Sequence, residues 1–307
     1  MKFLFLFFTQ NAMALSMISD IVECPIPYSS SQSSAESLNK AKIFMSTATN
    51  TGGGWDPDLA TYDSDAQFRN YQIATCSTSL FTMYGTDLVK LTENEKILLT
   101  DWFQDYKKNL PSPQDISTWQ RYEIASDVYR KLGYDSIFLA ELYMTASWTI
   151  RDDMVGVHQI NGPEEMENLL EQGEKELVKE SLTEQQKKMV LYNLARVAHR
   201  FGDEERTKHY MTLFEKETSL SNEERQVATL FRQSIEYEKS MRQKALNEIS
   251  KIPESEKTMI HLLWTAEILR RKGDLEDAIP IYKKLARQKE YPQIQKIALF
   301  FSNWEPK

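Results

Sequence analysis

Four S/T-x-x-E/Q boxes, Thr92/Glu95, Ser117/Gln120, Thr183/Gln186 and Ser221/Glu224, each stand directly ahead of an amphipathic run. In such a box the hydroxyl accepts from the third helical amide, and the acid or amide side chain returns a bond to the first backbone N–H. Each good cap is worth about 1 kcal/mol, so four of them commit the chain beyond Leu91 to helix. The pattern predicts helices starting near residues 92, 117, 135, 164, 183, 203, 221, 241, 255, 274 and 292. Gly and Pro together number only 20 in 307 residues, too few for a turn-rich all-β chain.

The turns between the helices recur. Gly133, Gly202 and Gly273 each close one amphipathic run and open another, at separations of 69 and 71 residues, each about twice the 34-residue tetratricopeptide period. A degenerate turn is expected at Lys239 and Ser240, between the last two. The best-fitting unit runs from Thr258 to Pro292, with Leu262, Ala266 and Leu269 on its first helix, Gly273 at the turn, and Ala278, Tyr282 and Leu285 on its second. Leu191, Ala195, Ala198 and Gly202 fit a second unit, followed by the looser Thr207, Met211 and Phe214. Hairpins of this kind bury their apolar faces by stacking, which predicts an array; a generic helical bundle is the alternative. The helix near Glu164 falls outside the period and reads, with the His158–Pro163 loop, as an insertion packed on the array.

Ahead of the helices, residues 17–88 read as strand and loop, a small α+β head. Ile18–Tyr28 is apolar, Ser29–Ser37 is serine-rich, Gly52-Gly53-Gly54 interrupts the chain, and Tyr71–Tyr84 is rich in Thr, Ile, Phe and Tyr. The three glycines lack the Lys-Ser/Thr of a phosphate-cradling loop. Met1–Ala14 has the form of a short export signal, with Lys2, the apolar run Phe3–Phe8 and the small-residue pattern Ala12-Met13-Ala14; a buried apolar segment, or initiation at Met17, is the alternative. The domain organisation expected is therefore signal 1–14, head 15–90 and helical domain 91–307. Export would place the chain in the periplasm or outside the cell, and initiation at Met17 in the cytoplasm. Two cysteines, Cys24 and Cys76, suit one bridge in an oxidising compartment or two free thiols in a reducing one. A bridge would close a loop of about 53 residues, worth roughly 4 kcal/mol by chain entropy.

These features resemble a bacterial family of unknown function that joins a zinc-ribbon-like head, built on two CPxC or CxxC knuckles, to tetratricopeptide-like helices. The knuckles correspond to Cys24-Pro25-Ile26-Pro27 and Cys76-Ser77-Thr78-Ser79, with Asp56-Pro57-Asp58 as the acidic segment between them. Tyr122–Gly133 and Ala140–Arg151 are similar to the family's most recognisable helical pair. The resemblance implies a mostly α fold, a tetratricopeptide-like helical-hairpin array with a zinc-ribbon-derived head. A structural zinc ion needs four thiolate or imidazole ligands, and Pro27 and Ser79 stand at two of the four positions. Four-ligand sites hold their knuckles close, so the resemblance brings Cys24 and Cys76 within reach of a disulfide that replaces the metal.

The formal charge of −8 gives no basic footprint for nucleic acid. No apolar stretch approaches the roughly 20 residues that span a bilayer. None of the four histidines, His158, His199, His209 and His261, lies in an HExxH pair or at metal-ligand spacing from a cysteine, and no nucleophile-elbow or dinucleotide motif occurs, so no cofactor is expected. Asp56, Asp58, Asp63 and Asp65 form an acidic loop after the three glycines. A solvated loop whose aspartates cap local turns is expected, with a hard-cation site, or a hydrolase built on it, as the alternative. The acidic runs Glu164–Glu176 and Glu223-Glu224, interleaved with Lys and Arg, read as solvated helix faces, and Trp102, Trp119, Trp148, Trp264, Tyr143 and Tyr282 as packing residues. The functional expectation is a non-catalytic scaffold or adaptor of the bacterial envelope that binds a protein or peptide.

Overall fold

The computed structural model of the chain describes residues 17–26, 39–47, 54–61, 68–110, 112, 116–153, 160–216 and 219–304. The export segment, the serine tract, Pro27, Asp63, Asp65 and His158 lie outside the described residues. The fold is mostly helical, and among the described residues of the N-terminal region there are two small antiparallel strand pairs. Strand β1 (Met17–Glu23) pairs with β2 (Lys40–Thr47), with one register shift between Ile18 and Ser19. A short α1 (Phe68–Gln72) leads into β3 (Ile73–Thr75), which pairs with β4 (Thr82–Tyr84).

Cys24 follows β1 and Cys76 follows β3, and the two are joined in a disulfide with their Cα atoms 5.9 Å apart. Asn39 ties the two cysteine turns together. Its carbonyl accepts from Cys24 N–H at 3.0 Å, its amide donates to the Ile26 carbonyl at 3.0 Å, and its Oδ1 accepts from Ser79 N–H at 3.1 Å. The second turn closes on itself through Cys76 N–H to the Phe81 carbonyl at 2.9 Å. Replacing Cys76 by serine therefore opens a 52-residue separation in the unfolded chain and leaves a buried hydroxyl where the sulfur packs. The expected loss is about 2–4 kcal/mol, read as a lower denaturation midpoint, and an equal loss on adding reductant to the wild type identifies the bridge as its source.

The helical part comprises α2 (Gly85–Leu88), α3 (Glu93–Tyr106), α4 (Thr118–Lys131), α5 (Ser136–Asp153), α6 (Pro163–Leu177), α7 (Glu184–Phe201), α8 (Glu204–Glu215), α9 (Asn222–Lys251), α10 (Met259–Arg271), α11 (Leu275–Leu285) and α12 (Pro292–Ser302). All four expected capping boxes are formed, and Thr258/His261 makes a fifth at α10. The pairs α4–α5, α7–α8 and α10–α11 pack as hairpins around Gly133, Gly202 and Gly273, whose φ angles are +83°, +85° and +85°. Helix α6 packs on α7.

The expected turn at Lys239 and Ser240 does not exist, and no helix starts at 241. Residues 222–251 are one continuous helix of 30 residues, because that stretch holds no Gly or Pro and is dense in strong helix formers. The next helix starts at Met259 rather than 255, after the Pro253 turn. Helix α9 consequently bridges two apolar cores. Met241, Ala245 and Ile249 pack in one that runs from Ile26, Cys76 and Phe81 through α3–α5 to Trp264 and Ile268. Ala228 and Phe231 pack in the other, formed by α6–α8 and α10–α12. Among the packing residues expected from the hairpin pattern, Ala266, Ala278 and Tyr282 are buried there, and Leu262 and Leu269 are half-buried against it.

Candidate functional site

The residues between the two cores are charged. The segment 54–61 enters the helical part as a tight loop, with Asp56 N–H donating to the Ala60 carbonyl and Leu59 N–H to the Asp56 carbonyl, each at 2.9 Å. Trp55 N–H donates to the Ile160 carbonyl, and Gly162 N–H donates back to the Trp55 carbonyl, both at 2.9 Å. The approach at Gly54 is so close that a Cβ there would stand 2.1 Å from the Ile160 oxygen, which explains the last of the three glycines. The Trp264 indole N–H donates to the Asp58 carbonyl at 3.1 Å, fixing the tip of the loop to α10.

Asp56 and Asp58 are buried, 0% and 1% exposed, so the loop is not solvated as the sequence suggests, although Asp58 does cap its local turn by accepting from Ala60 N–H at 3.3 Å. Arg151 of α5 reaches both, with Nη1 2.5 Å from Asp56 and Nη2 2.6 Å from Asp58. Arg200 of α7 donates to Asp56 through Nε at 2.9 Å and Nη2 at 2.7 Å. Glu238 of α9 lies 3.1 Å from Arg151 Nε, takes His199 Nε2 at 2.5 Å, and binds Arg242 one turn along its own helix. Glu267 of α10 holds Arg270, Arg271 and the Tyr282 hydroxyl. Burial by itself would raise the Asp58 carboxyl, but Arg151, Arg271 and Arg242 outweigh it and hold it well below the usual carboxylate range. Glu238 is held down in the same way, against its own burial, by Arg242, His199 and Arg151. Burial pushes His199 below its ordinary value, so the neutral ring presents its Nε2–H to the ionised Glu238.

Arg270 and Arg271 have a second task. An α-helix ends with unpaired carbonyls, and those of α7 are taken by these two side chains. Arg271 donates to the His199 and Arg200 carbonyls at 2.9 and 2.8 Å, and Arg270 to that of Phe201 at 2.6 Å. This explains the Gly202 turn beyond its positive φ, since a Cβ there would sit 2.6 Å from Arg270 Nη2 and 2.7 Å from the Arg271 side chain. At Gly273 a Cβ meets nothing within 4 Å. Gly273→Ala is expected to cost about 1 kcal/mol, the backbone penalty alone. Gly202→Ala should cost at least twice that in a urea titration; equal losses would show that the arginine caps are unimportant.

The arrangement brings Asp56 and Asp58 together with Trp264 and Tyr282 of the expected packing residues, and places His199 in the network but His209 on α8 outside it. Within the network Asp58, Glu238 and Glu267 are held ionised by guanidiniums, so these three carboxylates have no proton to give. Among the described residues no three His, Cys, Asp or Glu side chains gather to hold a metal ion, and no helix is long and apolar enough to cross a membrane. Sequence reasoning missed the arginines. Their signal is position, since Arg151, Arg200, Arg242, Arg270 and Arg271 all fall on the buried sides of their helices. Comparison with family models, curated proteins and solved structures returns no match.

Proposed function

We propose that the chain is a non-catalytic scaffold that binds a protein or peptide segment in an oxidising compartment of the bacterial envelope. The observation that carries the reading is an exposed apolar stripe on α9, the helix that bridges both cores. Val227, Leu230 and Tyr237 are 41%, 61% and 45% exposed and fall on one side of the helix at 3.6-residue spacing. Trp119 stacks on Tyr237 with ring centroids 4.7 Å apart, adding a rigid aromatic edge to the stripe. Apolar side chains displayed in a row on a well-braced helix suit a partner's apolar side chains, the helix-in-groove or strand-on-face mode of peptide recognition. Tetratricopeptide-like stacking of the hairpins is part of this reading, as is descent of the disulfide head from a zinc ribbon. The disulfide supports the oxidising compartment and agrees with export directed by residues 1–14. A hydrolase or cation site on the acidic loop has the weaker support, because guanidiniums occupy the faces of Asp56 and Asp58 that a cation would need.

The test is a fluorescence-anisotropy screen of short apolar and amphipathic peptides against the full chain and Leu230→Glu/Tyr237→Glu. Both changes are on the surface, so the fold should survive, as circular dichroism would check. Wild-type binding that the double variant loses supports the reading; peptides that bind both proteins equally, or neither, overturn it.

A further inference from the structure

Beside the buried charges, between α8 and α9, lies a cleft of about 210 Å³ counted out to open solvent, whose interior has room for about one water-sized body. It is lined by His199, Glu204, Thr207, Lys239, Arg242 and Arg271. Three of these are cations and one is an acid. Glu204 is drawn to Lys239 at 2.9 Å, and both are about two-fifths exposed, which puts the pair at the mouth. The Thr207 hydroxyl donates to the Asp203 carbonyl at 2.6 Å, so it has no hydrogen to offer inward. Arg271 is spread over Glu267 and the α7 carbonyls.

Arg242 is different. It is 5% exposed, its Nη2 goes to Glu238, and its Nε has no acceptor among the described residues. A buried guanidinium N–H without an acceptor is costly and rare in native proteins. Burial, and after it the neighbouring Arg271, push this guanidinium down to about 10, against the attraction of Glu238 and of Asp58, which lies 3.9 Å from its Nη2. Water would supply an acceptor to Nε, but only an anion would also relieve the repulsion between Arg242 and Arg271. Phosphate and sulfate are too large for the interior.

We propose that this cleft is a binding site for a single small monovalent inorganic anion of chloride's size, held by Arg242 Nε and by Lys239 at the mouth. The proposal is independent of the peptide-binding reading. The probe is chloride or bromide, with the large anion gluconate as the control at constant ionic strength. Melting of the full chain should rise saturably with chloride and not with gluconate, because an ion that binds the native state alone stabilises by mass action. Crystals grown in bromide should give an anomalous peak beside Arg242 Nε. Lys239→Met, at a partly exposed position, should raise the half-saturating chloride concentration by up to about five-fold, the scale of one solvent-accessible charge, while Lys272→Met leaves it unchanged. Identical melting in chloride and gluconate, a bromide peak elsewhere, or a Lys239→Met titration matching the wild type overturns the proposal in favour of a bound water.

Discussion

Asp56→Ala is expected to cost about 3–5 kcal/mol, the largest loss of any single change considered for this chain. Asp56 is fully buried and is the shared acceptor of Arg151 and Arg200, which come from different helices. Removing its carboxylate takes from Arg200 the acceptor of its Nε and Nη2, and from Arg151 the acceptor of its Nη1, while Asp58 and Glu238 stay beside Arg151. The loss is dominated by the buried charge that faced the carboxylate rather than by missing attraction, and this gives the prediction its discriminating arm. Adding Arg200→Met to Asp56→Ala removes the guanidinium that faces the lost carboxylate, so the double variant should be less destabilised than the two singles combined. The exposed pair Glu215–Arg232 serves as a reference, because breaking it should cost less than about 1 kcal/mol. Urea titrations with unchanged m-values would read the four variants against the wild type without screening their charges. An Asp56→Ala loss no greater than that of the reference pair would mean that the 54–61 loop is not bound into the core as described.

The capping boxes were legible because every atom they use lies within four residues, and local chemistry of that kind does not depend on the rest of the fold. The Gly133, Gly202 and Gly273 turns were legible for the same reason. The fifth box at Thr258 escaped notice because its third helical residue is His261, whose Nδ1 accepts from Thr258 N–H at 3.2 Å where a Glu or Gln would ordinarily do so. The expected break at Lys239 came from letting a repeat period overrule local propensity, and a 30-residue run without Gly or Pro stayed helical. The acidic loop was misread for the opposite reason. The guanidiniums that bind Asp56 are remote in sequence: Arg151 lies 95 residues away and Arg200 144 residues away. Charges on the buried faces of α5, α7, α9 and α10 were visible in the sequence, and a buried guanidinium on several helices implies a matching set of carboxylates. That balance, taken across the chain, is what could have drawn the Asp-Pro-Asp loop inward.

Acid should unfold this protein in two stages whose order follows from the buried groups. His199 is pushed below its ordinary value by burial, and His261 by burial and then Lys257. As pH falls below about 6.5 the unfolded chain takes up protons on these rings while the native chain does not. Their stabilising contribution is therefore complete above about pH 6.5 and declines as the pH drops through their native values. Asp58 and Glu238 are held far below the ordinary carboxylate range, so their contribution is complete above about pH 4–5 and is lost only in stronger acid. The melting temperature should be level from pH 8 to 7, fall gently towards pH 5, and then drop steeply to cooperative unfolding below about pH 4. His199→Gln keeps a donor for Glu238 but cannot be protonated, so together with His261→Gln it should flatten the upper stage and leave the lower one in place. Glu238→Gln should do the reverse, lowering stability at pH 7 while shrinking the acid-dependent part. A wild-type profile already flat between pH 7 and 5 would show that His199 does not meet Glu238 as a neutral buried ring, and would remove one strand of the network that joins α7 to α9.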